Sequence, residues 1–150
     1  MAAVAAAAVA TSTGCLQPSQ HTLVAISGAH NTAASIDTIT FTFDQGAPTG
    51  SSARYVSMPP SSPSGKAVGV DGTAFIQVDL TVAVAHDARN VSTSPDAFYP
   101  HQTSNVVEVA RYEDFEGHVG YVLGLRTGKS PRVSIARSAS AVVVSLSAPS

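Results

Sequence analysis

Charge is scarce in this sequence. Only 12% of its 150 residues are Asp, Glu, Lys or Arg, about half the ~25% usual in soluble domains. Eight Lys and Arg stand against ten Asp and Glu, for a formal net charge of -2. Nucleic-acid binding needs clustered cations, so that class of partner is excluded. No basic residue precedes Arg54, and only Arg126, Lys129, Arg132 and Arg137 lie near one another. A solvated turn accounts for those four. Tryptophan is absent, and Cys15 is the single cysteine. An intrachain disulfide is therefore impossible. None is required, because a chain of this length buries roughly 68–70% of its extended surface on folding. The one purely apolar stretch at the front, residues 2–10 (AAVAAAAVA), is far short of the ~20 residues of a helical membrane span. What remains is an ordinary apolar fraction of 44%, which excludes a disordered chain.

The front of the chain reads as an address. An apolar run is followed by the small residues Thr13 and Gly14, then Cys15, then the polar spacer LQPSQHT. That order matches a secretory segment with a lipoprotein cleavage site, where small residues fit the peptidase and the thiol receives a diacylglycerol. Residues 1–20 are expected to be this segment and its tether, with Cys15 as the lipid attachment point. The protein is then extracytoplasmic, either anchored to the cell membrane or secreted. Two features depart from the pattern. No cationic residue precedes the apolar run, and Ser12 stands three positions before the cysteine where Leu is usual. An earlier start of the chain would supply the missing cations.

From His21 onward the pattern is strand, turn, strand. Ile39, Phe41 and Phe43 alternate with Thr38, Thr40 and Thr42, the period of a half-buried antiparallel strand. Residues 76–84 repeat the device, with Ile76, Val78, Leu80, Val82 and Val84 on one face. Further strands are expected over 23–26, 106–112, 119–125, 132–136 and 142–146. In the fifth of these windows along the chain, Val119, Tyr121, Leu123 and Leu125 share a face opposite Gly120 and Gly124. Those glycines point to a close backbone approach or a bulge. No segment after the front has a helical period. The reading is all-β, an antiparallel β-sandwich or partly open barrel of about six to eight strands over residues 21–147, with a tail at 148–150. Two long loops, 47–74 and 86–104, interrupt it, the first with a short strand around Arg54 to Met58. Loops of that length are functional or disordered.

The ordered pieces resemble a known family. Phe41-Thr-Phe-Asp-Gln-Gly-Ala-Pro48 followed by Arg54-Tyr-Val is similar to the opening of the actinobacterial AMIN-like domain of secreted proteins and lipoproteins. Ser64-Gly-Lys-Ala-Val68, Asp71-Gly-Thr-Ala-Phe-Ile-Gln-Val78 and Tyr112-Glu-Asp-Phe-Glu-Gly117 resemble its next segments in order. Gly124-Leu-Arg and Pro131-Arg-Val133, then the closing VVVSL, complete the series. The resemblance implies a small envelope β-sandwich related to domains that target peptidoglycan or other envelope polymers. The sequence departs from the family pattern at Thr38, where Arg is usual, and at Ala141 and Ser145, where Arg and Asp are usual.

Catalytic chemistry is not legible. The five histidines, His21, His30, His86, His101 and His118, follow no metal-ligand spacing and read as strand-end or loop positions. His86-Asp87 is no base with its orienter, since neighbours on a strand face opposite ways. Glu113-Asp114-Phe115-Glu116 lacks the alternating spacing of a Ca²⁺ loop and reads as a polar hairpin turn closed by Gly117. Expected catalytic residues, metals and cofactors are therefore none. Phe98 and Tyr99 are the candidate ligand-binding residues, because adjacent aromatics in a polar loop offer a stacking face. The plainer alternative has Phe98 plugging the end of the sandwich with Tyr99 half exposed. The function expected is a non-catalytic envelope domain binding cell-wall polymer or an envelope protein, held to the membrane by its lipid. The alternatives are a structural spacer or protein-interaction module without a small ligand and, third, an enzyme of unrecognised type.

Overall fold

A computed structural model describes residues 20–127 and 132–147 of the chain. Cys15 and its apolar run lie outside the described residues. The described chain forms ten strands: β1 (His21–Asn31), β2 (Ile36–Asp44), β3 (Gly50–Val56), β4 (Ala74–Thr81), β5 (Ala83–Val84), β6 (Ala97–Phe98), β7 (Val106–Phe115), β8 (His118–Leu125), β9 (Arg132–Arg137) and β10 (Ala141–Ser147). Eight have six residues or more and two have only two, which is how an expectation of six to eight becomes ten. They pair into two five-stranded sheets, β5-β1-β2-β10-β9 (sheet A) and β3-β4-β8-β7-β6 (sheet B). Every pairing is antiparallel except β1 with β5. The architecture is the β-sandwich that the alternation implies.

Strand period sets the layers. In β2 the apolar positions Ile39, Phe41 and Phe43 are buried while Thr38, Thr40 and Thr42 turn outward. The facing sheet contributes Ile76, Val78, Leu80, Tyr121, Leu123 and Leu125. The rings of Phe41 and Tyr121 meet at a centroid distance of 5.3 Å, tilted by 49°, a favoured aromatic geometry. Two of the three departures from the resembled pattern meet as well, since Thr38 pairs with Ser145 across β2 and β10. Two small neutral groups thus replace two charges side by side, and neither leaves an orphan ion.

Three expectations are corrected. Val82 does not continue β4 onto the core face. Its φ is 62° and it is 37% exposed, a conformation that costs a β-branched residue energy. The strand stops because its partner stops: Thr81 pairs with His118, the first residue of β8. The chain then crosses to sheet A, with the N–H of Ala83 donating to the Gly117 carbonyl and that of His21 to the Val82 carbonyl. The strand expected around Arg54 to Met58 instead spans Gly50–Val56. Finally, Glu113, Asp114 and Phe115 belong to β7, and the hairpin turn itself is Glu116 and Gly117 with φ of 50° and 78°. Paired positive φ values are those of the two-residue turn whose twist suits a hairpin.

The glycines of β8 satisfy both readings given to them. β7 carries bulges between Val106 and Glu108 and between Arg111 and Glu113, opposite Gly124 and Gly120. A Cβ on Gly124 would lie 1.7 Å from the Asp71 carbonyl oxygen, so residues 57–73 pass directly over the sheet there.

Candidate functional site

The outward face of sheet B carries most of the chain's chemistry. Gln77 and Asp79 on β4 neighbour Val122 and Gly120 on β8, which neighbour Ala110 and Glu113 on β7. The bulge at Tyr112 swings that ring over Gly120, where a Cβ would sit 2.3 Å from it. Its hydroxyl donates to Asp79, and the Gln77 amide donates to both Asp79 (2.9 Å) and the Tyr112 oxygen (3.1 Å). His118 is clamped between two carboxylates, with Nε2 3.2 Å from Asp79 and Nδ1 on Glu113. Burial and the adjoining Asp79 carboxylate push the Tyr112 hydroxyl well above the usual phenol range. It is therefore a hydrogen-bond donor rather than an anion. Ala110 and Val122 are buried although they face outward.

Two loops wall this face. From one side, Asp71 donates its N–H to Glu108 (2.8 Å), fixing residues 57–73 over Gly124. From the other, residues 85–105 bridge the sheets. Arg111 is bound there by Ser92 (2.9 Å) and Asp96. Between the walls an open groove of about 670 Å³ runs beside β7, lined by Pro63, Ser64, Asp96, Arg111, Tyr112, Glu113, Asp114 and Phe115. Phe115 is 54% exposed at its end.

Phe98 and Tyr99 part company. Phe98 pairs with Val109 and packs against the core, half-buried. Tyr99 is 51% exposed. Its hydroxyl is raised by the charge of Glu108, with which it shares a hydrogen bond. A second groove of about 300 Å³ lies beside them, lined by Ile26, Ser27, Gly28, Phe98, Tyr99, Pro100, His101 and Gln102. Tyr99 and Phe115 thus stand at opposite ends of β7, on the order of 20 Å apart at ~3.3 Å per residue.

Three histidines read as plain strand-end or loop positions are in fact paired with carboxylates. Besides His118, His30 Nδ1 lies 2.7 Å from Asp37 and His86 Nδ1 lies 2.7 Å from Asp114. The His86-Asp87 neighbours do not interact as base and orienter: Asp87 accepts the N–H groups of Arg89 and Val91 and closes its own loop. Asp37 is the most enclosed acid of the chain, 3% exposed at the end of β2. Burial alone would raise its carboxyl. The N–H groups of Ser104, Asn105 and Val106, at 2.8, 2.6 and 3.2 Å, together with His30, outweigh that and hold it below the usual range. The 104–106 turn is thereby tied to sheet A. Among the described residues no group of three or more His, Cys, Asp or Glu side chains is arranged to hold a metal ion.

Every carboxylate of this face is committed to a neighbour, so the arrangement can present fixed acceptors, donors and rings to a ligand. Comparison with curated proteins and with solved structures finds no match. A family model does match, described as the AMIN-like domain, over residues 22–148. That span takes in both sheets, the two walls and the groove between them, and the chain belongs to the AMIN-like domain family.

Proposed function

We propose that this domain is a non-catalytic module of the cell envelope that binds a hydroxyl-rich wall polymer along β7. The observation that carries this reading is the groove of about 670 Å³ walled by both long loops. Its carboxylates are already oriented by internal hydrogen bonds, so they can accept hydroxyls without reorganising. Phe115 supplies an exposed ring within the groove, and Tyr99, in the second groove at the opposite end of β7, supplies another for stacking on sugar faces. Family membership supports the envelope setting. The apolar run, small residues and lone Cys15 support an anchored form, with the lipid on that thiol.

Retention of the full chain on purified cell wall tests the contact. Wild type is retained, and Tyr99→Ala with Phe115→Ala releases it while melting at the wild-type temperature. Phe98→Ala serves as the comparison, since that ring packs inward and its loss acts through stability. Undiminished retention of the double variant would overturn the groove, and cross-linking to an envelope protein in place of wall retention would favour an interaction module. For the anchor, Cys15→Ala moves the protein from the membrane fraction to the medium.

A further inference from the structure

Sheet edges are where β proteins meet other chains, because an edge strand turns alternate N–H and C=O groups outward without a ladder partner. The four edges of this sandwich are unequal. β5 and β6 are two residues long, and residues 85–105 close that side. The Thr93 hydroxyl donates to the Leu23 carbonyl at 2.7 Å, and Pro100 packs on Gly28. On the other side β3 and β9 lie against each other across the sandwich, seven and six residues long. Neither has a bulge in its pairing or a proline. Among the described residues no strand or backbone hydrogen bond occupies their outer sides.

We propose that β9 is an acceptor edge for an extended segment of a partner polypeptide, acidic at its ends and apolar between. Arg132 and Arg137 bracket the strand, both exposed. Neither forms an ion pair among the described residues. Between them Val133 and Ile135 face the opening between the sheets, packed on the core yet only half-buried. An added strand completes their cover with its own apolar side chains and sets its carboxylates beside the arginines. An antiparallel register fixes the pattern: two acids five positions apart, with apolar residues opposite Val133 and Ile135. A second copy of this chain fits poorly. Antiparallel pairing of β9 with itself sets each Arg132 opposite Arg137 of the copy, and like charges directly opposed destabilise a ladder. The same arginines that invite an acidic strand therefore discourage self-association. This edge is independent of the groove beside β7.

The probe is a synthetic peptide of about 12 residues. Two valines, two positions apart, lie between a glutamate and an aspartate five positions apart, with serines elsewhere. Titrated into the full chain, it is expected to saturate and to slow hydrogen exchange at outward amides of β9, leaving β6 and β7 unchanged. Reversing both charges, Arg132→Glu with Arg137→Glu, weakens binding about tenfold, and a peptide with lysines in place of the two acids restores it. Absence of binding, or binding without protection in β9, overturns the proposal. Equal binding of a scrambled peptide or of polyphosphate assigns the arginines to anionic polymers instead. A doubled sedimentation mass that depends on Ile135 assigns the edge to a second copy.

Discussion

Replacing Asp37 by asparagine or alanine isolates the tie between the 104–106 turn and sheet A. In wild type the carboxylate accepts three backbone N–H groups and faces His30. Asparagine keeps the shape, but only one of its two terminal atoms accepts. With its oxygen in the Oδ2 position it retains Asn105 and Val106 and turns an NH₂ donor toward the N–H of Ser104. It also loses the charge assistance of the remaining bonds. Hydrogen bonds to charged groups contribute ~1.5–3 kcal/mol, so we expect Asp37→Asn to cost about 2 kcal/mol. Alanine strands all three N–H groups at ~1–3 kcal/mol each. The space of about 30 Å³ between His30, Asp37, Ser104 and Asn105 admits a water, which keeps the expected loss near 3 kcal/mol. Urea unfolding followed by circular dichroism measures both, with unchanged m-values as the control. The pH profile supplies a second reading. A carboxyl held below its unfolded value of ~3.9 contributes stability that is fully present above that value. The contribution is lost as pH falls through ~3.9 toward the folded value. Wild type should therefore lose more stability than Asp37→Asn between about pH 5 and pH 2.5. Parallel pH curves, or an asparagine variant within about 0.5 kcal/mol of wild type, would refute the reasoning.

Other positions give further tests. Gly124→Ala drives a Cβ to 1.7 Å from the Asp71 carbonyl, and we expect about 2 kcal/mol of destabilisation with proteolysis appearing first in residues 57–73. Val82→Gly removes a β-branched residue from φ of 62° and should raise stability by up to about 1 kcal/mol, read as a higher melting temperature. All four tyrosines are raised, Tyr55 by burial to about 12 and Tyr112, Tyr121 and Tyr99 upward too. Ultraviolet titration should find less than half the tyrosinate of the unfolded chain at pH 10. The stability they contribute is complete below ~10 and is lost as pH rises toward the folded values.

Legibility followed the range of the interaction that decides each feature. β2 and β10 were readable because burial on one face imposes alternation on their own residues, whereas β8, buried on both faces, was marked by its apolar run interrupted only by glycines. Val82 was not readable, since its fate depends on where β8 begins. β3 begins Gly50-Ser51-Ser52-Ala53, small residues without a period, and its existence rests on pairing with β4. The His–carboxylate pairs depend on register. His30 and Asp37 were within reach of sequence reasoning, being nearly equidistant from the turn at residues 32–35. His86 and Asp114 were not, because 28 positions and a bulged strand separate them. The groove likewise needs both loops in place, and neither carries a repeat or motif that aims it at β7.

The pairing of β10 with β2 also governs when the molecule can form. Thr42 meets Ala141, about a hundred residues later, and loop-closure entropy must be met before such contacts are gained. Sheet A therefore stays incomplete until residues 141–147 are available. A polypeptide that emerges amino terminus first keeps β2 open on one side until then. Closure of sheet A is thus ordered in time by the topology alone: β1 and β2 pair as neighbours in the chain, and β10 seals the open side of β2 last.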